Sequence, residues 1–346
     1  IFGYSVAFRN HDEVTDRYAN NFDSFVDLRA ISDIAAARTI AEDQLDILID
    51  LGGLTLGARL GILAMRPAPL QVHYFGYGHT IGGSIVDYLI IDRSSIAEGT
   101  RNFYQESMIF LPENWIPAPP LMTDERLPER KQFGLPQSEF VFVNFNESFK
   151  IEPRIYSIWM KLLKEIPGSV LWLLGGAQVA KDNLRAAAES RGVSGERLVF
   201  ADKVSHSEHL NRQKLADLAL DTYLHAGGVC TVEALSAGLP VLAVVDAEIE
   251  HRPRVSVLNA AGLPDLVAPS LESYFEMALT LARNPAILSE LRARLARNLG
   301  TAPLFDNERL TRHLEAGYEI IHERHYSSLP PCDIEVPRLP NKRKAN

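Results

Sequence analysis

The 346 residues carry 35 basic and 44 acidic side chains, a formal net charge of −9, with 46% hydrophobic and 23% charged residues. These proportions belong to a soluble globular chain with room for two hydrophobic cores. No stretch approaches the about 18 apolar residues of a membrane span, and the acidic excess argues against nucleic-acid backbone as the main partner. Two cysteines in unlike contexts, Cys230 and Cys332, point to a reduced, cytoplasmic chain without a disulfide framework. Residue 1 is Ile and no signal peptide is visible, so the chain reads as a piece whose true N-terminus lies elsewhere.

In chain order, IFGYSVAF, FVDLRA, LDILIDL, LQVHYFGY and DYLIID read as short strands, with helical runs such as ISDIAAARTIAED and ARLGILAMR between them. Strand and helix alternating in this way is the pattern of βαβ units and a parallel sheet. A proline-rich, charged stretch over 112–136 interrupts it and reads as a linker. A second series follows: FVFVNF, a helix from about Glu152 to Ile166, SVLWLL, a helix from about Gln178 to Arg191, LVFAD, a helix over SEHLNRQKLADLA, LALDTYL and LVAPS. Strands as apolar as FVFV and WLL suit a sheet covered on both faces, with Trp159 and Trp172 in its core. Amphipathic helices close the chain, the last from about Asn307 to His325 with His313, His322 and His325 on its surface. The expected division is a first α/β lobe over 1–120, a linker over 121–136, a second lobe over 137–304, a helix over 305–326 and a flexible tail over 327–346.

HAGGVCTVEALSAGLPVLAV, residues 225–244, follows the strand LALDTYL. Ligands of open α/β sheets bind beyond the carboxyl ends of the strands, where helix N-termini present unbonded N–H groups. Gly227 and Gly228 stand in that place, either as an anion loop or as a plain turn, and the glycines alone do not decide between the two. Lys150 stands beyond FVFVNF at another carboxyl end, where the two features can converge. His206, His209 and Arg212 fall at spacing three on one helix face. No acid or thiolate completes a zinc set at usual spacing, so stacking on a base is the better functional reading of the histidines. Cys230 at a helix start is either a lowered-pKa thiol or a space-filler among small residues.

The runs LDILIDLGGLTLGARLGILAMRPAPLQVHYFGYGHTIGGSIVDYLIID, FVNFNESFKIEP, LADLALDTYL, SAGLPVL and RVSVL resemble the catalytic region of the O-linked N-acetylglucosamine transferase family, glycosyltransferase family 41. RPAPLQVHYFGYGHTIG and FNESFKIEP are the specific pieces. The resemblance implies an α/β GT-B fold, two Rossmann-like lobes facing across a cleft. Its implied activity is transfer of a sugar from a nucleotide donor, UDP-GlcNAc in the family, to protein Ser or Thr hydroxyls, inverting and metal-independent, with no cofactor. Its implied partners are the nucleotide sugar and an acceptor protein or peptide, with tetratricopeptide repeats N-terminal to this region in the full-length protein. Alternatives are a transferase using another nucleotide sugar, as in flagellin glycosylation, or a decayed binding or scaffold protein.

Position by position, the resemblance makes Lys150 the cation facing the diphosphate. It sets His209 by the uracil, Val204 on the base through its backbone and Arg212 at the base's edge. His206 stands where the family has a ribose-binding Lys, and Glu233 where it has an Asp on the ribose hydroxyls. Phe75 and Gly76 would line the sugar pocket. Gly228, Val229 and Cys230 replace the family's His-Thr-Thr, leaving backbone N–H groups with Gly227 before and Thr231 after, and Glu147 replaces an amide residue near the diphosphate. Gly78 and His79 replace Pro-Gly, and His79 is the candidate general base, against a purely structural role. The family's His-Pro-Thr segment does not occur in residues 1–346.

Overall fold

The computed structural model describes residues 1–7, 13–119, 128–246 and 252–339. It divides into two compact units, one of residues 1–93, 98–115 and 311–346, the other of residues 94–97 and 116–310. In the first unit β1 (Phe2–Ser5), α1 (Glu13–Ala19) and β2 (Ser24–Asp27) precede α2 (Asp33–Glu42), β3 (Ile47–Asp50), α3 (Leu60–Ala64), β4 (Leu70–His73), β5 (Tyr88–Asp92) and β6 (Ser107–Leu111). β1 and β2 pair parallel as a two-stranded sheet, while β3 to β6 run parallel in chain order in a second sheet. Ser32 caps α2 by accepting from the Ala35 N–H, and Ala36, Ala37 and Ile40 turn inward onto Leu28, Leu48, Ile62 and Leu63. β4 and β5 are buried along their whole length, as strands covered on both faces must be.

The second unit contains β7 (Val141–Asn144), α4 (Pro153–Glu165), β8 (Val170–Leu174), α5 (Gln178–Glu189), β9 (Leu198–Ala201), α6 (His206–Gln213), β10 (Leu218–Leu220) and α7 (Val229–Ser236). It continues through β11 (Val241–Val244), α8 (Pro253–Ala260), β12 (Val267–Ala268), α9 (Leu271–Arg283) and α10 (Pro285–Asn298). Its sheet has the order β12-β11-β10-β7-β8-β9, all parallel. The chain therefore winds outward from β7 in one direction and from β10 in the other, and the order reverses between them. That is the doubly wound Rossmann arrangement, whose ligand crevice opens at the reversal. Trp159 and Trp172 are 1% and 0% exposed, in the core as the sequence predicts. Trp159 donates its indole N–H to the Tyr274 hydroxyl at 3.2 Å.

Four sequence expectations change. The helix expected over SEHLNRQKLADLA stops at Gln213, because Leu218–Leu220 is drawn into the sheet between β7 and β11 and the Asp217 N–H already bonds the Val141 carbonyl at 2.8 Å. Of the expected linker 121–136, residues 121–127 lie outside the described residues. From Arg130 onward the chain is tied to the second unit, by Arg130 to Asp217 at 2.7 Å and to the Leu215 carbonyl at 3.0 Å. The tail expected to be flexible over 327–346 is held as far as the structure describes it. After α11 (Asn307–Tyr326), β13 (Ile334–Glu335) adds to β6 in parallel, and Asp333 binds Arg101 at 2.6 Å and the Met108 N–H at 2.9 Å. Residues 340–346 lie outside the described residues. His313, expected on the surface of α11, is buried, and its Nε2 accepts from the Leu339 N–H at 3.2 Å.

Candidate functional site

In the second unit the loops after β7 and β10 meet at the sheet reversal. Lys150 Nζ lies 3.2 Å from the Ala226 carbonyl oxygen and 3.3 Å from Asn146 Oδ1, so the two features the sequence set apart converge on one loop. Buried Asp221 shapes that loop, its Oδ1 accepting from the Thr222 and Gly227 N–H groups at 2.8 Å each. Its Oδ2 faces the buried Arg254 guanidinium at 3.7 Å. Gly227 has no room for a side chain, since a Cβ there would stand 2.6 Å from Thr231 Oγ1 and 2.9 Å from Asp221 Oδ1. Gly228 is the N-cap of α7 at φ 53° and ψ −112°, a conformation that favours glycine, and nothing lies within 4 Å of the place a Cβ would take.

The helix start presents fewer donors than the sequence implies. The Cys230 and Thr231 N–H groups turn back to the Gly227 and Gly228 carbonyls, each at 3.1 Å, and the Thr231 side chain is buried under the loop. Among the described residues this leaves the Gly228 and Val229 N–H groups for an anion, beside the Lys150 ammonium. Burial and the neighbouring Glu233 push the Cys230 thiol up to about 11, which makes it a space-filler rather than a nucleophile. Glu147 is exposed and its side chain has no hydrogen-bond partner among the described residues. His225, beside the loop, is held below its ordinary value by burial, then by Lys150 and Arg254.

A second group joins α6 to α7. Ser205 and Glu208 form a capping box that fixes the start of α6. His206 Nε2 lies 2.8 Å from Glu233 Oε1, and His209 Nε2 lies 3.8 Å from Glu233 Oε2. Arg212, expected at the edge of a base, is instead 1% exposed. Its Nη1 donates to the Asp202 carbonyl at 2.6 Å and its Nη2 bonds His209 Nδ1 at 2.8 Å, while the guanidinium stacks 4.8 Å from the Phe145 ring centre. It therefore supports His209 from beneath. An arginine donating to Nδ1 requires a lone pair there, so His209 is neutral with its proton on Nε2. Burial, then the positive charges of Arg212 and His206, lower it to about 4. Val204, Phe149, Leu224 and Val229, in the loops at this edge of the sheet, are 40%, 77%, 54% and 47% exposed.

In the first unit the FGYGHT turn follows β4. Phe75 takes φ 72°, unusual for a side-chain-bearing residue and frequent at ligand-facing turns. Gly76 passes so close to the loop after β3 that a Cβ would stand 1.8 Å from the Leu51 carbonyl oxygen. His79 is exposed and its ring centre lies 5.5 Å from that of Tyr77.

Residues 1–118 and 121–314 match the family described as Glycosyl transferase family 41. The chain belongs to glycosyl transferase family 41. It is 33% identical over 343 residues to an Arabidopsis thaliana protein named "Probable UDP-N-acetylglucosamine--peptide N-acetylglucosaminyltransferase SEC", covering 97% of this chain and 35% of that protein. It is 30% identical over 317 residues to a Petunia hybrida protein of the same description called SPINDLY, covering 90% of this chain and 33% of that protein. The chain thus spans about a third of the length of these curated relatives. Among solved structures, a lysine-to-methionine variant of the Thermobaculum terrenum O-GlcNAc transferase matches with a TM-score of 0.86 and 31% identity, covering 94% of this chain and 62% of that one. A sucrose-phosphate synthase from Thermosynechococcus elongatus, at TM-score 0.59 and 14% identity, covers 86% of this chain and 77% of its own and shares the fold alone.

For this family 41 chain the sequence reading missed Asp221, Arg254 and Asn146. Asp221 had a signal, an acid at the end of the strand run LALDT, but its partner Arg254 lies 33 residues on and only the fold joins them. Among the described residues no group of three or more His, Cys, Asp or Glu is placed to hold a metal ion, and no helix is long and apolar enough to cross a membrane.

Proposed function

We propose that this chain is the donor-binding and transfer region of a protein O-linked N-acetylglucosaminyltransferase. UDP-GlcNAc is the donor and a Ser or Thr hydroxyl of an acceptor protein is the nucleophile. The reading rests above all on the convergence of Lys150 with the Gly227–Gly228 loop at the sheet reversal of a family 41 chain. The relatives' names supply the donor and the peptide acceptor.

The hydroxyl oxygen attacks the anomeric carbon as the bond from that carbon to the β-phosphate oxygen breaks on the opposite face, inverting the centre. The bonding pair leaves with UDP, so negative charge grows on the β-phosphate. Lys150 and the Gly228 and Val229 N–H groups stabilise that charge more in the transition state than in the bound donor. No metal step is required. The hydroxyl proton passes to a base, for which His79 is the candidate. In the second unit Glu233 takes the ribose hydroxyls. His209, its ring 5.1 Å from that of Phe145, faces the base with Val204, and His206 pairs with Glu233 until ribose arrives. In the first unit Phe75 and Gly76 contribute to the sugar's surroundings. We further propose that the full-length protein is cytoplasmic and carries N-terminal tetratricopeptide repeats that bring acceptors to this region.

The test is a panel of UDP-, GDP- and CMP-sugars, read by calorimetry and by transfer to protein. Selective UDP binding with GlcNAc transfer supports the reading. Binding of UDP with transfer of another sugar, or binding of no nucleotide, overturns it in favour of a different donor or a scaffold.

A further inference from the structure

At the carboxyl edge of the first sheet, Asp50 ends β3 and His73 ends β4, and the two are register partners. His73 is completely buried. Its Nδ1 lies 2.8 Å from Asp50 Oδ2, and its Nε2 bonds the Tyr77 carbonyl oxygen. Asp50 also accepts from the Gly52 N–H at 3.2 Å on Oδ1 and from the Gly53 N–H at 2.8 Å on Oδ2. Burial pushes the Asp50 carboxyl up, but the bonds from His73, Gly53 and Gly52 more than offset it and hold it below its ordinary value. Asp50 is therefore a carboxylate, which only accepts, and a peptide carbonyl also only accepts. Both ring nitrogens of His73 face acceptors, so both need a proton. A neutral imidazole would leave one buried lone pair against an oxygen, with its full desolvation and repulsion cost.

We propose that His73 is a positioning residue held as an imidazolium. It clips the Gly52–Gly53 loop after β3 to the Phe75–His79 loop after β4, and so sets Phe75 and Gly76 for the donor sugar. The clip acts on loops with little slack. Gly53 stands at φ 54°, and a Cβ there would lie 2.5 Å from Tyr77 Cβ and 2.8 Å from His73 Cε1. Asp50 faces the imidazole from β3. Tyr77, its ring centre 6.2 Å from that of His73, faces it from the loop, with His79 beyond at 5.5 Å from Tyr77. A buried, paired charge of this kind is retained for position more than for stability. Misplacing a substrate-facing loop by about 1 Å costs on the order of a hundredfold in rate. The transfer part of the proposal rests on the function proposed above; the protonation part does not.

The experiment uses the whole chain. Nitrogen-15 spectra of the histidine rings, with His73 identified by its loss in His73→Gln, report whether each ring nitrogen carries a proton. At pH 7 both His73 nitrogens are expected in the protonated range, and Asp50→Asn is expected to release one proton. A glutamine amide nitrogen cannot serve both oxygens, so His73→Gln is expected to speed hydrogen exchange at residues 75–79 at least tenfold. It should lower GlcNAc transfer about tenfold or more, while UDP affinity, which belongs to the second unit, stays within twofold. A neutral His73 ring at pH 7, or wild-type transfer and exchange in His73→Gln, overturns the proposal. Should His73→Gln not fold, Asp50→Asn carries the same readouts. Should the wild type neither bind UDP nor transfer, the proposed function fails while the ring spectra and hydrogen exchange still decide the clip.

Discussion

The two carboxyl edges of this molecule solve different problems with different means. In the second unit the charge is placed outward: Lys150 rests on a glycine loop, two amides remain for an anion, and the buried Asp221–Arg254 pair only shapes the turn. In the first unit the charge is turned inward, Asp50 on His73, and the turn beyond it offers shape: Phe75 at positive φ and Gly76 against the Leu51 carbonyl. An outward charge acts on charge that develops during reaction, whereas an inward one acts on geometry. Substitutions in the second unit should therefore separate binding from rate, and substitutions in the first should leave nucleotide affinity alone.

Lys150→Met gives the largest expected effect. Its transfer rate should fall about a hundredfold or more with a smaller loss of UDP affinity, because the ammonium meets more charge as the bond breaks. Thermal stability should barely move, since among the described residues the Lys150 side chain bonds Asn146 and the Ala226 carbonyl alone; a large drop in stability would make it a structural lysine. Gly76→Ala tests the other edge. The collision with the Leu51 carbonyl oxygen should cost about 1–3 kcal/mol of stability and force the turn aside. Transfer should collapse while UDP titrates as in the wild type, and a matching loss of UDP affinity would break the division of labour. Glu233→Ala should weaken UDP about tenfold, the worth of a hydrogen bond to a charged group, and weaken a 2′,3′-dideoxy nucleotide little. Equal losses would reduce Glu233 to a partner of His206.

The smallest effect is a pH slope. His209 is held neutral in the fold, with its value lowered from 6.5 to about 4. Its contribution to stability is complete above the unfolded value near 6.5. It fades as pH falls toward about 4, because the unfolded chain binds the proton first. Melting temperature followed from pH 7.5 to 4 should decline less steeply in His209→Phe than in the wild type, and parallel curves would mean that His209 is freely protonated.

The convergence that makes the second unit's candidate site was legible in the sequence because its parts are local. A lysine a few residues past an apolar strand, a glycine pair before a helix and a histidine spacing of three each sit within one loop or turn. Where the reading failed, the cause was tertiary. Arg212 sits at the right helical spacing for a ligand contact, but burial over Phe145 and a bond to His209 turn it into a support. Cys230 and Thr231 look like free helix-start donors until the tight turn consumes their N–H groups. His73 gave no signal, because its meaning comes from register with Asp50, 23 residues earlier, and from a carbonyl four residues on. The tail was misjudged for a similar reason. Proline and exposed polar residues suggest disorder, and nothing local announces that Ile334 pairs beside Ile109.

That last pairing has a consequence for how the protein is made. Within residues 1–346 the first unit draws on both sides of the second: its strands run from Phe2–Ser5 to Ile334–Glu335, with residues 116–310 of the second unit between. On a ribosome most of the second unit, residues 116–310, emerges as one run and can fold, while the first waits with the β6 edge unpaired. It closes only when the Asp333 carboxylate and the Arg338–Glu113 pair arrive. The interval before residues 333–338 are translated is thus vulnerable, because an exposed parallel edge favours strand pairing between chains. A premature stop after residue 326 would leave that interval permanent.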